Sequence, residues 1–496
     1  MSSLDAPHSP FDRDQRVVEL HRWPLATTVR DSKRGPLPAG TPAAVQQRTA
    51  DTLGAPRVPS TGVGESAALD LIAGLLDRDG IDLSHPHAAA HLQPPVLQVA
   101  VDADALASAS NASMDTYDSG PVTLEIERWV VRALATMAGF GPSADGVLTP
   151  GGSISNLLAV LIARDNAAAA RGIDVRRNGL GGLAKPVVFC SELAHFSVQR
   201  ACAALGLGED AAITIPADGD FRMRADILAD ELDKPGRTPI AVVATAGTTD
   251  YGSIDPIGEI AALARQHGAW VHVDAAYGFG ALFSDRLAPL LAELPAADSV
   301  TLDLHKIGWQ PAATSMLLVA DRERFASLGR SVEYLNPADD IDSGLDGLLG
   351  RSLQTTRRPD AVKVATTLTA YGRTGLGRML DTCHELAHAA AARVVADSNL
   401  ELLAPVTLTT VLFRVAGQGL AAAELDAVQG EVRRRLLTSG RVLIGRTRIP
   451  ARGGRPAAVA LKLTLLNPNA TATDIEELLD QVVATGHDVL PREGAA

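Results

Sequence analysis

The sequence is short of cysteine: Cys190, Cys202 and Cys383 are its three, and none belongs to a CxxC pair. That excludes a disulfide framework and a cysteine-based zinc site, and it predicts a reducing compartment. An excess of positive charge is also missing. The 45 basic residues stand against 58 acidic ones, a formal charge of −13, whereas binding to a phosphate backbone needs a basic face. No run of about 18 apolar residues occurs, so no membrane-spanning helix is expected. The stretch from Met1 to Pro24 lacks the apolar centre of a secretory signal. These absences predict a soluble, cytoplasmic protein. What is present is an ordinary globular balance, 46% hydrophobic and 21% charged residues. At roughly 150 residues per domain the chain has room for two or three domains and a large core.

Residues 1–60 are rich in Pro, Arg, Ser and Thr and read as a loosely packed arm. The spacing over Ser66–Asp77 predicts a short amphipathic helix. His85 to Pro95 is expected to be extended or looped, because residues before proline avoid helical geometry. Glu125–Met137 reads as helix. From 147 to 320, apolar runs at Pro186–Cys190, Ile240–Thr245, Trp270–Asp274, Ser299–Asp303 and Ser315–Val319 alternate with helical stretches. Those stretches are Ser155–Ala170, Phe196–Leu205, Met223–Leu232 and Pro256–His267. The alternation predicts an α/β fold with a mostly parallel sheet covered on both faces. Ligands of such sheets bind beyond the strand C-termini. After Gly372 the pattern predicts a long helix Leu376–Asp397, a strand near Thr407–Val415 and a helix Ala421–Leu437. Strands Val442–Arg448 and Val459–Leu466 follow, then a last helix from Thr473, where Thr473-Asp474-Ile475-Glu476 has capping-box spacing. The expected division is an N-terminal segment 1–84, a large domain 85–372 and a smaller C-terminal α/β domain 373–496.

Four features at expected strand ends carry chemistry. Thr149-Pro150-Gly151-Gly152-Ser153-Ile154-Ser155 opens a helix, and glycines with a helix N-terminus suit an anion such as phosphate. Taken alone, the loop is equally a tight turn before a structural helix. Asp274 ends an apolar strand, where a carboxylate needs a cationic or protonated partner or caps the next helix. Lys306, between His305 and Trp309, follows a buried strand. Partial burial makes such an amine a usable nucleophile, while a solvent-facing lysine is the plainer alternative. His195 follows the 186–190 strand and by itself reads as a structural imidazole. Jointly the four point to pyridoxal 5'-phosphate. The lysine carries it as a Schiff base, the aspartate keeps its ring nitrogen protonated, the cup takes the phosphate and the imidazole stacks on the ring.

The chain resembles the pyridoxal-dependent group II amino-acid decarboxylases from about His85 to the last helix. The segments that carry the resemblance are HPHAAAHLQPP, NASMDTYDSGP, TPGGSISNLLAVLIAR, ATAGTTDYGSIDPI, HVDAAYGFGAL, ADSVTLDLHKIGWQP and SLQTTRRPDAVKV. Ser331–Asn336 and Ser352–Arg358 are most similar to the diaminobutyrate decarboxylases and the lysine decarboxylases of siderophore pathways. The resemblance implies the aspartate-aminotransferase-like fold (fold type I) of pyridoxal-phosphate enzymes, and decarboxylation of a basic L-amino acid to its amine. It further implies that Lys306 binds the cofactor, Asp274 pairs with the ring nitrogen, and His195 and Ala276 cover the two ring faces. Ser153 and Ser155 would hold the phosphate with Asp303 and His305 nearby, and Thr249 would sit near ring and substrate. His91 and Arg357 are expected at the substrate, and Tyr334 as the loop tyrosine that protonates the carbanion in the neighbouring subunit's site. A homodimer follows, with the N-terminal segment at its contacts. No metal is expected.

Three departures bear on the substrate more than on the chemistry: Ile307-Gly308 after the lysine, Ala312–Met316, and Pro359 after the paired arginines. An aldehyde-forming oxidase on the same scaffold typically replaces the loop tyrosine, which is present here. An aminotransferase would lack that tyrosine. A non-catalytic homologue usually loses the lysine or the aspartate. A nicotinamide reading of the glycine loop leaves Lys306 and His195 without a role.

Overall fold

The computed structural model describes residues 34–329, 332–451 and 456–491. The first part of the expected N-terminal arm, 1–33, and Ser331 of the 331–336 segment lie outside them. The described residues pack as two compact units, one within 99–381 and the other formed by those of 34–98 and 382–491. The division differs from the expected one: the N-terminal segment, through position 98, shares a unit with the C-terminal part, and the second boundary falls at 381 instead of 372.

In the 99–381 unit a seven-stranded sheet has the order Asp145–Thr149, Ser315–Val319, Ser299–Asp303, Trp270–Asp274, Thr238–Thr245, Pro186–Ser191, Ala212–Ile215. Only Ser315–Val319 runs against its neighbours; the other pairings are parallel. The central strands are buried along their whole length, as a sheet covered on both faces requires. On one face the helix Gly152–Ala169 packs Leu158, Ile162 and Ala163 against Val188, Val243 and Leu317. The two edge strands escape the sequence pattern. Asp145–Thr149 opens on Asp-Gly, a turn signal, and Ala212–Ile215 is four residues long and follows a 3-10 turn. The long helix begins earlier than expected, at Ala361, and runs to Ala396 with a break at Gly372. Gly372 has φ +59°, a left-handed conformation glycine takes without strain, and Gly375 and Gly377 further dilute the helical signal there.

The second unit carries a five-stranded sheet ordered Ala88–Ala89, Leu443–Ile449, Ala458–Thr464, Thr410–Val415, Leu400–Leu402. Helices Ala422–Ser439 and Ala472–Val489 pack Val432, Leu436, Leu478 and Val482 against Val411, Phe413, Leu461 and Leu463. Ala88 and Ala89 extend this sheet by parallel pairing with Leu443 and Ile444, which takes the 85–95 segment out of the large domain where it was expected. The last helix is capped two residues earlier than its sequence indicates. Thr471 Oγ1 accepts the Asp474 amide (3.2 Å), and Asp474 accepts the Thr471 amide (2.7 Å). Within residues 1–60, the helix Pro42–Leu53 forms behind its Thr41 cap with proline in its first turn, the favoured place for that residue. Neither it nor Glu65–Asp79 buries a residue. Among the described residues no helix is long and apolar enough to cross a membrane.

Candidate active site

The C-terminal ends of the parallel strands meet at one cavity of about 270 Å³. It is lined by the 150–153 loop and Asn156, by His195, by Thr245, Gly247 and Thr249, by Asp274, Ala276 and Tyr277, and by Asp303, His305 and Lys306. Five separate chain segments therefore deliver their polar groups to one rim, as the parallel topology dictates. The glycines of the loop have a steric reason. Gly151 sits at φ +116°, and a Cβ at Gly152 would lie 2.9 Å from Asp303 Oδ1. The helix that starts there has no side-chain cap, which leaves its first amides to a ligand and its dipole to favour an anion.

Lys306 Nζ lies 2.8 Å from Asp303 Oδ2. Asp303 also accepts the Ser315 hydroxyl at 2.5 Å and is 5% exposed. Asp274, equally buried, accepts the Asn156 amide on Oδ2 at 2.8 Å and the Ala276 backbone N–H on Oδ1 at 3.1 Å. Both of its oxygens act as acceptors, the pattern of an ionised carboxylate. His195 Nδ1 faces Ser197 Oγ at 2.8 Å. Burial pushes its imidazole below the usual range and Lys306 adds to this, while the Asp274 charge pulls the other way. This donor set fits pyridoxal phosphate: an amine, a buried carboxylate, a flat imidazole and an anion cradle share one cavity.

Behind Asp274, His272 is fully enclosed, and burial pushes its imidazole down to about 4. An unfolded histidine titrates near 6.5, so the unfolded chain takes up this proton first as the pH falls. The contribution to stability is complete above about pH 6.5 and is lost between there and about pH 4, on the order of 3 kcal/mol. His272→Gln is expected to lack this part of the acid sensitivity. Urea midpoints of both proteins at pH 7 and pH 4.5 check it.

Not every expected residue lines the cavity. Ser155 is fully buried and shares a 2.6 Å hydrogen bond with Thr149 beneath the loop. Arg357 is buried against Glu127, with contacts of 2.8 and 3.1 Å, and its Nη2 has no partner. Tyr334 is 82% exposed and lies along a different groove, with Val332, Leu335 and Leu353. His91 belongs to the other unit, where desolvation and the Lys462 and Arg433 charges push it below its usual range. Sequence reasoning assigned no role to Asn156, His272 or Ser197. The available signal was spacing: His272 lies two residues before Asp274 on one strand, hence on the same face.

The family model described as the pyridoxal-dependent decarboxylase conserved domain matches residues 78–416. The L-2,4-diaminobutyrate decarboxylase of Rhizobium meliloti (strain 1021) is 41% identical over 436 residues, covering 87% of this chain and 84% of that protein. That of Acinetobacter baumannii is 35% identical over 435 residues, covering 85% and 84%. Among solved structures, the glutamate decarboxylase domain of diaminobutyrate-pyruvate transaminase and L-2,4-diaminobutyrate decarboxylase from Vibrio parahaemolyticus superposes with a TM-score of 0.81. It is 31% identical, and the match covers 92% of each chain. The chain belongs to the pyridoxal-dependent decarboxylase family and is an amino-acid carboxy-lyase that uses pyridoxal 5'-phosphate.

Proposed function

We propose that this enzyme decarboxylates L-2,4-diaminobutyrate to 1,3-diaminopropane and carbon dioxide in the cytoplasm, as a homodimer with shared sites. The observation that carries the substrate is the pair of diaminobutyrate decarboxylases at 41% and 35% identity, each matched over more than four-fifths of its length. Carbon dioxide release and amine identity across a panel of L-amino acids test it. Diaminobutyrate is expected to lead in kcat/KM; a leading lysine, glutamate or aromatic substrate overturns the assignment.

Bound in the cavity, pyridoxal phosphate supplies a sink for the electron pair that departing carbon dioxide leaves on Cα. Lys306 would provide the ε-amine that holds the cofactor, and Asp303, 2.8 Å from that amine, is its ionic partner. Asp274 would keep a proton on the ring nitrogen, and His195 and Ala276, which line the same cavity, would cover the ring. Ser153 and the first amides of the Gly152–Ala169 helix hold the phosphate, while Ser155 braces the loop through Thr149. His305 stands beside Asp303, with Nε2 3.8 Å from Oδ2, and Thr249 borders the substrate. Tyr334 delivers the proton to Cα as a general acid, acting in the neighbouring subunit.

Two features support the dimer. Tyr334 stands apart from the cavity of its own chain, and the helix Glu65–Asp79 leaves Leu69, Ile72 and Leu76 exposed, an apolar face of the kind that marks an interface. A mixing experiment tests both. Lys306→Ala and Tyr334→Phe chains, each unable to form the amine product alone, are expected to regain amine formation when co-folded. The mixed dimer has one site with the lysine of one chain and the tyrosine of the other. No recovery in a verified mixed dimer contradicts shared sites.

A further inference from the structure

Asp274 is the near end of a buried polar chain along one face of the sheet. Trp270, His272 and Asp274 alternate on their strand, and His272 and Asp274 register with Ser299 and Thr301 of the neighbouring strand. Trp270 Nε1 lies 2.7 Å from Ser299 Oγ, Ser299 Oγ 2.8 Å from His272 Nδ1, and His272 Nε2 3.0 Å from Asn156 Oδ1. Thr301 Oγ1 is a weaker second neighbour of His272 Nε2 at 3.4 Å. The Asn156 Nδ2 group reaches both Asp274 Oδ2 and Ser197 Oγ at 2.8 Å. Asn156, His272 and Ser299 are each 1% exposed or less.

The two ends fix every hydrogen in between. An indole N–H only donates and an ionised carboxylate only accepts. With Asp274 accepting at one end, Asn156 turns its Oδ1 to His272 Nε2, which donates to it; the neutral imidazole therefore accepts on Nδ1 from Ser299, which itself accepts from Trp270. The Asn156 amide thus has its N–H groups toward Asp274 and Ser197. Ser197 in turn donates to His195 Nδ1, which also receives the Ser197 backbone N–H at 3.3 Å. The ring-facing imidazole is thereby left with its proton on Nε2. A reversed amide would set Asn156 Oδ1 against the Asp274 carboxylate, an acceptor against an acceptor.

We propose that Asn156 and His272 are positioning residues that hold Asp274 as an oriented anion for the ring nitrogen of the cofactor, with Asn156 also setting the His195 tautomer through Ser197. The inference rests on the assignment of Asp274 to the ring nitrogen. His272 serves as a neutral donor, in keeping with an imidazole that burial keeps uncharged near neutral pH. Without this support Asp274 would keep only the Ala276 amide.

Equilibrium binding of pyridoxal phosphate and of its deaza analogue, in which C–H replaces the ring nitrogen, to the full-length cofactor-free chain tests the proposal. Asn156→Ala and His272→Phe are expected to lose about tenfold to a hundredfold in affinity for pyridoxal phosphate, the scale of supporting-residue losses at other sites. Binding of the deaza analogue should stay within about threefold, which also verifies the fold. His272→Gln, whose amide can donate to Asn156, should retain the preference for the natural ring. Ser299→Ala serves should either severe variant not fold, with a smaller loss in the same direction. Equal losses on both ligands, or an unchanged preference, overturn the proposal. Asp274→Ala in the same assay separates the two levels. If it abolishes the preference while Asn156→Ala and His272→Phe preserve it, the positioning role alone fails. If Asp274→Ala itself keeps the preference, the assignment of Asp274 and the inference fall together.

Discussion

Lys306→Ala is expected to abolish decarboxylation, by roughly ten-thousandfold or more, and to remove the visible absorbance of the bound cofactor. Among the described residues Lys306 is the one lysine on the cavity wall, with no second ε-amine beside it to replace it. Its ion pair with Asp303 also makes a structural prediction. Removing the amine leaves a buried carboxylate supported by the Ser315 hydroxyl, and an unmade buried contact costs about 1–3 kcal/mol. The variant should therefore be somewhat less stable yet folded. Full activity, or a retained absorbance band, would contradict the assignment.

Asp274→Asn carries the second large effect, a loss of about a thousandfold in kcat. The side chain keeps nearly the same shape, so the loss measures charge. A neutral amide no longer holds a proton on the ring nitrogen, and the electron sink weakens. Its amide nitrogen would also face either the Asn156 donor or the Ala276 donor, which now meet acceptors at 2.8 and 3.1 Å. Cofactor affinity should fall along with kcat. The change should also lower the His195 pKa further, because the Asp274 charge is the leading influence that raises it. Steady-state kinetics at saturating cofactor isolate the kcat component. A variant within tenfold of the parent would show that the charge at 274 is dispensable.

Much of this site was legible because its residues lie at the ends of strongly patterned elements. Trp270–Asp274, Ser299–Asp303 and Ser315–Val319 have the bounds their apolar runs predict, and the parallel topology then gathers Asp274, Lys306, His195 and Ser153 onto one rim. Residues whose roles depend on side-chain direction were harder. Ser153 and Ser155 look equivalent in sequence, yet only Ser153 lines the cavity, because Ser155 turns under the loop to Thr149. Arg357 pairs with Glu127, 230 positions away, a contact no local pattern encodes. The pairing of the 88–89 segment with the C-terminal part was hidden for a related reason. Ala88–Ala89 is too short to read as a strand, and its partner, Leu443–Ile449, lies far along the chain. Asn156 and His272 were in plain view inside the motifs, but their roles come from hydrogen-bond direction, which needs the fold.

The central claim is that one amine, at position 306, holds the cofactor. The most direct test is borohydride reduction of the purified holoenzyme followed by peptide mapping. The chain has few candidates: Lys33, Lys185, Lys234, Lys306, Lys363 and Lys462. A pyridoxyl group on the peptide containing Lys306, and on no other, is the predicted result. Attachment at another of these lysines, or a reduced holoenzyme with no modified lysine at all, would contradict it.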